Sequence, residues 1–197
     1  NQKGEVVLDY YRWLMMRKKD ENSPAPEPQL PKNLPDHVPV NELIIPDGID
    51  LTGWDPEVTG SDAYFEDYEV GEKIHHLDGQ PIEEAEHQMA TRLYQNNARV
   101  HFNQDVEKNG RFGHRIVYGG YIISLARAIS CNGLANAFRV AAIHAGRHSA
   151  PSFAGNTIYA WSEILEKAEI PGRNDIGTLR VRTLASKDSS QAVYPEK

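Results

Sequence analysis

The sequence predicts an α+β domain in which an antiparallel sheet wraps around one central apolar helix. The first reason is a helical pattern at residues 121–133, which is apolar on most of its circumference and must therefore be buried on most sides. The second is a set of three strand patterns after this helix, at residues 138–144, 156–165 and 176–186. In the last of these, apolar side chains alternate with arginines, which is typical of an antiparallel sheet with one solvent-facing side.

Residues 4–18 are dense in β-branched and aromatic side chains and contain neither a proline nor a helix cap, so we predict a strand. The sequence offers no earlier strand as a partner, and an isolated strand is not stable. This strand either pairs with the later sheet or belongs to a sheet that lies upstream. We expect the second case, in which the sequence is a fragment of a longer protein.

Residues 24–56 contain eight of the twelve prolines in the chain. This density of proline prevents helices and sheet ladders and favours an extended polyproline II conformation. Such a segment connects domains, or lies over the surface of one, as a semi-rigid spacer. The short apolar run at residues 43–45 could anchor it. We therefore interpret residues 21–62 as a linker and residues 63–197 as the folded domain.

The folded domain begins with a predicted strand at residues 72–77, followed by a helix from Pro81 to about Gln95. Proline suits the first position of a helix, and glutamates suit the first turn, where the helix dipole favours negative charge. The apolar face predicted for this helix consists of Ile82, Ala85, Met89, Ala90 and Leu93. The central helix begins at the glycine pair 119–120 and ends near Gly133. This order of elements predicts the hotdog arrangement, in which a curled antiparallel sheet holds one helix.

The composition is that of an ordinary globular protein, with 40% hydrophobic, 25% charged and 9% aromatic residues. No apolar run approaches the roughly 18 residues that a membrane-spanning helix needs, and we find no secretory signal pattern. The formal charge of -7 argues against nucleic acid or an anionic membrane as the main partner. The single cysteine, Cys131, excludes an internal disulfide and fits a reducing, cytoplasmic location. We expect Cys131 to be a small core residue rather than a nucleophile.

Four histidines, His75, His76, His144 and His148, raise the question of a metal site. His144 and His148 would share one face of a strand, but they would lie too far apart to bind one ion easily, and no acidic cluster accompanies them. We therefore predict no metal site. The sequence also contains neither a phosphate-binding glycine-rich loop nor a serine nucleophile elbow.

Two segments carry groups suited to catalysis. Residues 94–103 combine amides, an arginine and a histidine in an irregular stretch, and functional residues commonly lie in such segments. The glycine pair 119–120 allows close approach to the start of the central helix, whose first N–H groups can polarise a carbonyl. A histidine titrates near neutral pH and is the natural proton carrier. Together these segments indicate proton abstraction or addition beside a polarised carbonyl group.

The sequence resembles the MaoC-like, R-specific enoyl-CoA hydratase superfamily in four long runs: YQNNARVHFN, GRFGHRIVYGGYIISLARAIS, PSFAGNTIYAWSEIL and PGRNDIGTLRVRT. Within the superfamily, these runs are similar to the second half of the double-hotdog enzymes that hydrate mesaconyl-CoA. The resemblance covers nearly the whole chain. It implies that residues 1–20 hold the last strand of a mostly absent first hotdog domain and that residues 63–197 are the second, without its final strand.

The resemblance also implies roles for individual residues. The superfamily pattern Gly-Asp-x-Asn-Pro-x-His supplies an aspartate and a histidine that activate water and move the α-proton. Here His101 falls on the histidine, whereas Asn96 stands in place of the aspartate and Arg99 in place of the proline. An asparagine cannot act as a base, although it can orient a water molecule. Either His101 is the sole acid/base with Asn96 positioning the water, or this half is degenerate and the other half holds the working pair.

Four residues are candidates for binding the substrate. Gly119 matches the glycine whose backbone N–H faces the thioester oxygen in the relatives, and Gly120 and Tyr94 accompany it. Arg99 could form a bidentate contact with the free carboxylate of mesaconyl-CoA, although a solvated arginine is the simpler interpretation.

Three functional hypotheses follow. The first is a lyase that reversibly hydrates mesaconyl-CoA to β-methylmalyl-CoA without a metal or redox cofactor. The second is a non-catalytic half that binds acyl-CoA and supports an active site in the other domain. The third is a thioesterase, which usually needs a carboxylate near the helix start, and residues 116–125 contain none. In each case an open sheet edge predicts association with a second copy or with the absent domain.

Overall fold

The computed structural model describes residues 2–6, 16, 18–29 and 35–189. It divides the chain into two compact units, Asn1–Pro35 and Asp36–Lys197. In the first unit, the strand predicted at residues 4–18 falls largely outside the described residues. The described part of this unit contains local turns, such as the one in which the Asn22 N–H donates to Asp20 Oδ1 at 3.0 Å.

The described residues of the second unit form four strands, five α-helices and three 3-10 turns. The strands are β1 (Lys73–His75), β2 (Gln80–Pro81), β3 (Thr157–Glu169) and β4 (Gly177–Lys187). The helices are α1 (Pro56–Thr59), α2 (Glu84–Leu93), α3 (Gln104–Glu107), α4 (Gly119–Ile129) and α5 (Cys131–Leu134). The 3-10 turns are Val40–Glu42, Phe65–Asp67 and Arg99–His101. None of these helices is long and apolar enough to cross a membrane.

The four strands form one antiparallel sheet around β3. β4 pairs with β3 along one edge, and β1 and β2 pair with successive parts of the other edge. The pairing of β3 with β4 is interrupted once, between Ile164 and Glu166, where an extra residue forms a bulge. The strands predicted at residues 156–165 and 176–186 are thus confirmed, and the strand predicted at residues 72–77 is confirmed with a shorter span.

Helix α4 packs against the inner face of the sheet and forms the main core. The six buried apolar residues of this core are Ile82, Val117, Leu125, Ile129, Ile158 and Ala160. A second cluster, Tyr68, Leu134 and Ile164, continues the core past the end of α4. Ser162 is also fully buried between these clusters, and its Oγ lies 2.8 Å from Nε2 of the buried His76, so the two polar groups satisfy each other.

The outer face of the sheet carries charged pairs, as the alternating pattern of β4 predicts, although Trp161 on the same face is buried beneath the ring of His75. Arg182 pairs with Glu163 of β3 at 2.6 Å on this face. Leu179 and Val181 alternate with the arginines and pack against the second core cluster instead. The predicted α+β architecture, a helix held against an antiparallel sheet with one wet face, is therefore confirmed.

The strand predicted at residues 138–144 is wrong. The segment is irregular and takes part in no ladder with the four described strands. Its apolar side chains are accessible to solvent, with 45% of Phe138, 51% of Val140 and 78% of Ile143 exposed. A β-rich sequence becomes a strand only when a neighbouring strand accepts its hydrogen bonds, and β3 is already paired along both edges.

Helix α4 is buried on one side only, so the prediction that most of its circumference is covered is wrong. Leu125, Ala126 and Ile129 are buried, whereas Ile123 on the other side is 51% exposed. The prediction that Cys131 is a core residue is also wrong, because α4 ends at Ile129 and Cys131 begins the next short helix with its side chain exposed. Covering both sides of α4 requires more protein than the four described strands supply.

Helix α2 begins later than predicted, and of the predicted apolar face only Ile82 and Ala90 are buried. Pro81 lies in β2 rather than in the helix, which starts after it at Glu84. Met89 and Leu93 of the predicted apolar face are 62% and 70% exposed. The buried residues are His87, Ala90 and Thr91. Arg115 bonds to Glu84 in the first turn and links α2 to the segment that precedes α4.

Part of the predicted linker lies on the folded domain. Residues from Asp36 onward belong to the same compact unit as the sheet. Asn136 Nδ2 donates to the carbonyl oxygens of Ser61 at 2.9 Å and Ala63 at 2.8 Å, and its Oδ1 accepts from the Thr59 hydroxyl at 2.7 Å. The Thr59 hydroxyl and the Ser61 carbonyl therefore hold this end of the linker against the turn after α5.

Candidate active site

The start of helix α4 presents free backbone N–H groups. Tyr118 is the N-cap residue, and its carbonyl oxygen accepts from Tyr121 N at 3.0 Å and from Ile122 N at 3.4 Å. The N–H groups of Gly119 and Gly120 precede these and have no acceptor within the helix. They form the positive end of the helix dipole, so this turn suits an anion or a polarised carbonyl oxygen.

Two rings border these glycines. The ring of Tyr118 folds back over Gly120, where a Cβ atom would lie 2.5 Å from the tyrosine Cζ and Oη atoms. The imidazole of His148 lies against Gly119, where a Cβ atom would lie 2.6 Å from Cε1 and Nε2. Both separations are shorter than real carbon contacts. Any side chain at position 119 or 120 would therefore clash with these rings, and glycine avoids the clash.

His101 lies on the same side of the domain, next to Tyr118. Its Nδ1 is 2.9 Å from the carbonyl oxygen of Ile116, and its ring centroid is 6.0 Å from that of Tyr118 in an edge-on contact. The backbone of Ile116 also donates to the carbonyl oxygen of Val100 at 3.1 Å, which ties the histidine turn to the segment leading into α4. Because a carbonyl oxygen only accepts, Nδ1 carries the proton in the neutral ring and Nε2 keeps a free lone pair.

The side chain of Asn96 makes a local contact. Its Oδ1 accepts from the backbone N–H of Ala98 at 2.9 Å, and the backbone N–H of Asn96 donates to the carbonyl oxygen of Thr91 at 2.9 Å. These bonds close the turn after α2, a usual role for asparagine. Among the described contacts Asn96 therefore bonds to its own loop rather than to His101.

Tyr94 and Arg99 lie at the edge of the cluster. Tyr94 is 63% exposed, with its ring centroid 6.2 Å from that of Tyr118. Arg99 is exposed and shares the 3-10 turn with His101. The structure thus brings His101, Tyr94 and the glycine pair together around Tyr118, whereas the side chain of Arg99 extends into solvent.

Sequence reasoning missed His148 as a neighbour of the site. It considered this histidine only as a metal ligand on a strand, and that strand does not form. No local pattern could have revealed the contact with Gly119, since the two residues come from different segments of the chain. The sequence shows only that position 119 is a glycine, which the contact requires because a larger residue there would exclude the imidazole.

A second missed residue is His87 of α2. It is 1% exposed, and its Nε2 has no hydrogen-bond partner among the described residues. Burial lowers the pKa of His87, and the Arg115 guanidinium and the His101 ring lower it further, so its neutral form is favoured. The helical spacing of His87 with Ala90 and Thr91 is the signal that could have found it.

Helix α4 is also tied to α2 near its start. The Tyr121 hydroxyl donates to Glu86 Oε2 at 2.7 Å. Burial and the neighbouring carboxylate raise the pKa of Tyr121 to about 12, so this hydroxyl remains a donor at ordinary pH. The contact fixes the first turn of α4 relative to the helix that carries His87.

The other histidines considered as metal ligands lie apart from one another. His75 stacks on Trp161 with ring centroids 4.2 Å apart, His76 is buried in the core, and the ring of His144 contacts that of His37 at 6.1 Å. Within the part of the chain that the structure describes, no three His, Cys, Asp or Glu side chains are grouped to hold a metal ion.

Two surface cavities lie outside the site cluster. The first has a volume of about 460 Å³ and is lined by Ala85, Gln88, Met89, Arg92 and Leu93 on the outer side of α2. The second, of about 350 Å³, lies beside the C-terminal end of α4, with His76 and Asn132 in its lining. Neither includes His101 or Gly119, so the candidate site is the open start of α4 rather than either cavity.

Comparison with known proteins finds two curated relatives that are similar to nearly the whole chain. No model of a protein family matches it. The chain is 64% identical to β-methylmalyl-CoA dehydratase of Chloroflexus aurantiacus over 195 residues, which are 99% of this chain and 55% of that protein. It is 49% identical to mesaconyl-CoA hydratase of Cereibacter sphaeroides over 193 residues, 97% of this chain and 54% of that protein. The chain thus spans about half the length of these curated relatives.

Two solved structures superpose on the chain and identify its fold. A MaoC domain protein dehydratase from Chloroflexus aurantiacus superposes with a TM-score of 0.81 at 64% identity, over 88% of this chain and 49% of that one. A Mycobacterium tuberculosis protein with a double hotdog fold superposes with a TM-score of 0.53 at 26% identity, over 77% of this chain and 44% of that one. The predicted hotdog fold is confirmed, and the predicted resemblance is confirmed as well: nearly the whole chain is similar in sequence to about half of β-methylmalyl-CoA dehydratase.

Proposed function

We propose that the chain is the C-terminal half of a hydro-lyase that interconverts mesaconyl-CoA and β-methylmalyl-CoA. The names of the two curated relatives support the substrate pair. The observation that carries the chemistry is the position of His101 beside the start of α4, with Nδ1 bound to Ile116 and Nε2 left with its lone pair. Addition of water to an unsaturated thioester needs a proton carrier and a donor to the thioester oxygen, and these two groups can supply both.

In the proposed mechanism, the backbone N–H of Gly119 donates to the thioester oxygen. His101 Nε2 accepts a proton from water as the water oxygen bonds to the β-carbon, and the electrons of the double bond move into an enolate. The α-carbon then takes the proton from Nε2, which returns His101 to its neutral form. Water has been added across the double bond, and the reverse sequence is the dehydration.

The remaining candidates keep supporting roles in this proposal. Asn96 orients the water through its amide N–H group, since its Oδ1 is already engaged by Ala98. Arg99 lies exposed on the turn of His101, where it can meet the free carboxylate of mesaconyl-CoA. Tyr94 and Gly120 line the approach to the thioester.

A second candidate function is a non-catalytic half that binds acyl-CoA. The observation that favours it is the state of Asn96, which cannot act as a base and whose oxygen is bound within its own loop. This half would then contribute one proton carrier where the family pattern has two. The working pair would lie in the other half of the full-length protein.

The test is hydration of mesaconyl-CoA by the full-length protein, followed as loss of the enoyl-thioester absorbance. We expect turnover by the wild type and a loss of about 10²- to 10⁴-fold in kcat for His101→Ala. His114→Ala is the matched control, since His114 is an exposed histidine whose ring contacts Phe153 rather than the site cluster. A His101→Ala protein that keeps its rate while the wild type is active would assign this half the non-catalytic role.

We further propose that the domain associates with the first hotdog domain or with a second copy, in a reducing compartment such as the cytoplasm. The exposed apolar segment at residues 138–144 and the uncovered side of α4 support association, because exposed apolar surface of this kind marks an interface. The single cysteine, which is exposed, supports a reducing location. A full-length protein that sediments as a monomer with these surfaces still accessible to hydrogen exchange would contradict the association.

A further inference from the structure

The imidazole of His148 lies against Gly119 at the start of α4. Its Cε1 and Nε2 both lie 2.6 Å from the point where a Cβ atom on Gly119 would be. A Cβ and the backbone nitrogen are attached to the same Cα, so these ring atoms lie within about 5 Å of the Gly119 nitrogen, close enough for both groups to reach one ligand oxygen. His148 is exposed, and the described residues provide no hydrogen-bond partner for its ring nitrogens.

We propose that His148 is the second hydrogen-bond donor to the thioester oxygen, working beside the N–H of Gly119. This inference rests on the proposed function and names a residue that its mechanism does not use. The thioester oxygen gains negative charge as the enolate forms, and a site for such an oxygen is more effective with two fixed donors than with one. A neutral imidazole can be that donor through its ring N–H.

The two histidines of the site then have different tasks. The N–H of His101 is used by the Ile116 carbonyl, so its Nε2 is left for accepting protons. His148 has no such internal acceptor and can direct its N–H to a ligand. A glutamine at position 148 would keep a donor while losing the ability to carry a proton near neutral pH, so it separates a donor role from an acid/base role.

The first test is a set of substitutions at position 148 in the full-length protein, with mesaconyl-CoA as the substrate. We expect His148→Ala to lower kcat about 10²-fold and His148→Gln to recover most of that loss. His144→Ala is the matched control, an exposed histidine of the same irregular segment whose ring contacts His37, and we expect its rate to be unchanged. A His148→Ala protein at the wild-type rate, or a glutamine variant as slow as the alanine one, would overturn the donor role.

The second test uses the contact with Gly119. Gly119→Ala keeps the backbone N–H but places a methyl group where His148 lies, so the ring must move away. We expect this variant to be slowed about as much as His148→Ala, and the double variant to be no slower than either. Losses that multiply in the double variant would mean that the two residues act independently and would overturn the inference. Thermal unfolding of each variant verifies that the loss arises in a folded protein.

The third test does not depend on turnover. In a His101→Ala background, bound crotonyl-CoA reports polarisation of its thioester as a red shift of its absorbance. We expect the shift to shrink when His148→Ala is added and to persist with His148→Gln. If the wild type does not hydrate mesaconyl-CoA yet the red shift depends on His148, the proposed function fails and the donor role stands. A red shift that is equal with and without His148 removes the donor role and leaves the hydratase proposal intact.

Discussion

His101 Nδ1 and the carbonyl oxygen of Ile116 lie 2.9 Å apart, and this contact decides which nitrogen of the histidine is available for chemistry. Ile116 is itself bound through its N–H to Val100, so the acceptor is fixed by the same backbone that carries the histidine turn. Such a partner on one ring nitrogen sets both the tautomer and the orientation of an imidazole.

His101→Asn should separate this structural contact from the proposed chemistry. An asparagine amide can donate to the Ile116 carbonyl from about the position of Nδ1, but it has nothing in the place of Nε2. We expect kcat to fall about 10²- to 10⁴-fold while the free energy of unfolding changes by less than about 1 kcal/mol. Steady-state kinetics and urea unfolding of one preparation measure both. An active asparagine variant would show that Nε2 is not the proton carrier.

The sequence predicted the parts of the fold that neighbouring residues determine. The alternation in β4 places Leu179 and Val181 against the core, and the paired strand β3 follows from the same kind of pattern. The prediction failed where a segment depends on a partner from elsewhere. Residues 138–144 have the composition of a strand but do not pair with the described strands. Cys131 follows the apolar residues of α4, yet its side chain is exposed.

The site was predictable to the extent that its residues are close in sequence. The 3-10 turn of His101 and the glycine pair at the start of α4 were found from composition and local pattern. His148 was not, because it contacts Gly119 through tertiary packing that leaves no periodic trace. His87 was overlooked although its helical spacing with Ala90 and Thr91 marks the buried face of α2. Asn96 was found, but only the structure reveals that its oxygen is used to close a turn.

Gly120→Ala should disturb the site through Tyr118. The added methyl group would lie 2.5 Å from the Cζ and Oη atoms of the tyrosine, so the ring must leave the first turn of α4. We expect a loss of about 1–3 kcal/mol in the free energy of unfolding, the usual cost of inserting a carbon into a packed contact. In a Tyr118→Ala background, Gly120→Ala should leave the free energy of unfolding nearly unchanged, because the ring that would clash with the methyl group is gone. Equal effects of Gly120→Ala with and without the ring would contradict this account.

An apolar substitution at neutral pH should destabilise the domain far more at His76 than at His87. His76 uses both ring nitrogens, with Nδ1 2.5 Å from the Asn132 carbonyl and Nε2 2.8 Å from Ser162 Oγ. His87 leaves Nε2 without a partner among the described residues. His76→Leu should therefore cost about 2–4 kcal/mol, whereas His87→Leu should cost little, because it removes an unsatisfied nitrogen. Urea unfolding at pH 7.5 compares them, and equal losses would mean that His87 has a partner in solution.

The same two histidines should make the domain less stable in weak acid. Burial lowers the pKa of His76 and of His87 below the ordinary histidine value of about 6.5, so each ring resists protonation in the folded protein while it gains a proton in the unfolded chain. Their contribution to stability is thus fully present above about pH 6.5 and is lost as the pH falls below that value, by up to about 1.4 kcal/mol per pH unit for each histidine.

The measurement is the free energy of unfolding from pH 7.5 to 5 for the wild type, His87→Leu and His114→Leu. The slope below pH 6.5 should decrease in His87→Leu, because one of the two rings that resist protonation in the folded state is gone. Exposed His114 is the control, and its removal should leave the slope unchanged because its ring meets solvent in both states. Carboxylates affect all three proteins alike and cancel in the differences. An unaltered slope in His87→Leu would mean that His87 protonates equally well in the folded protein, and that it is not held neutral beside His101.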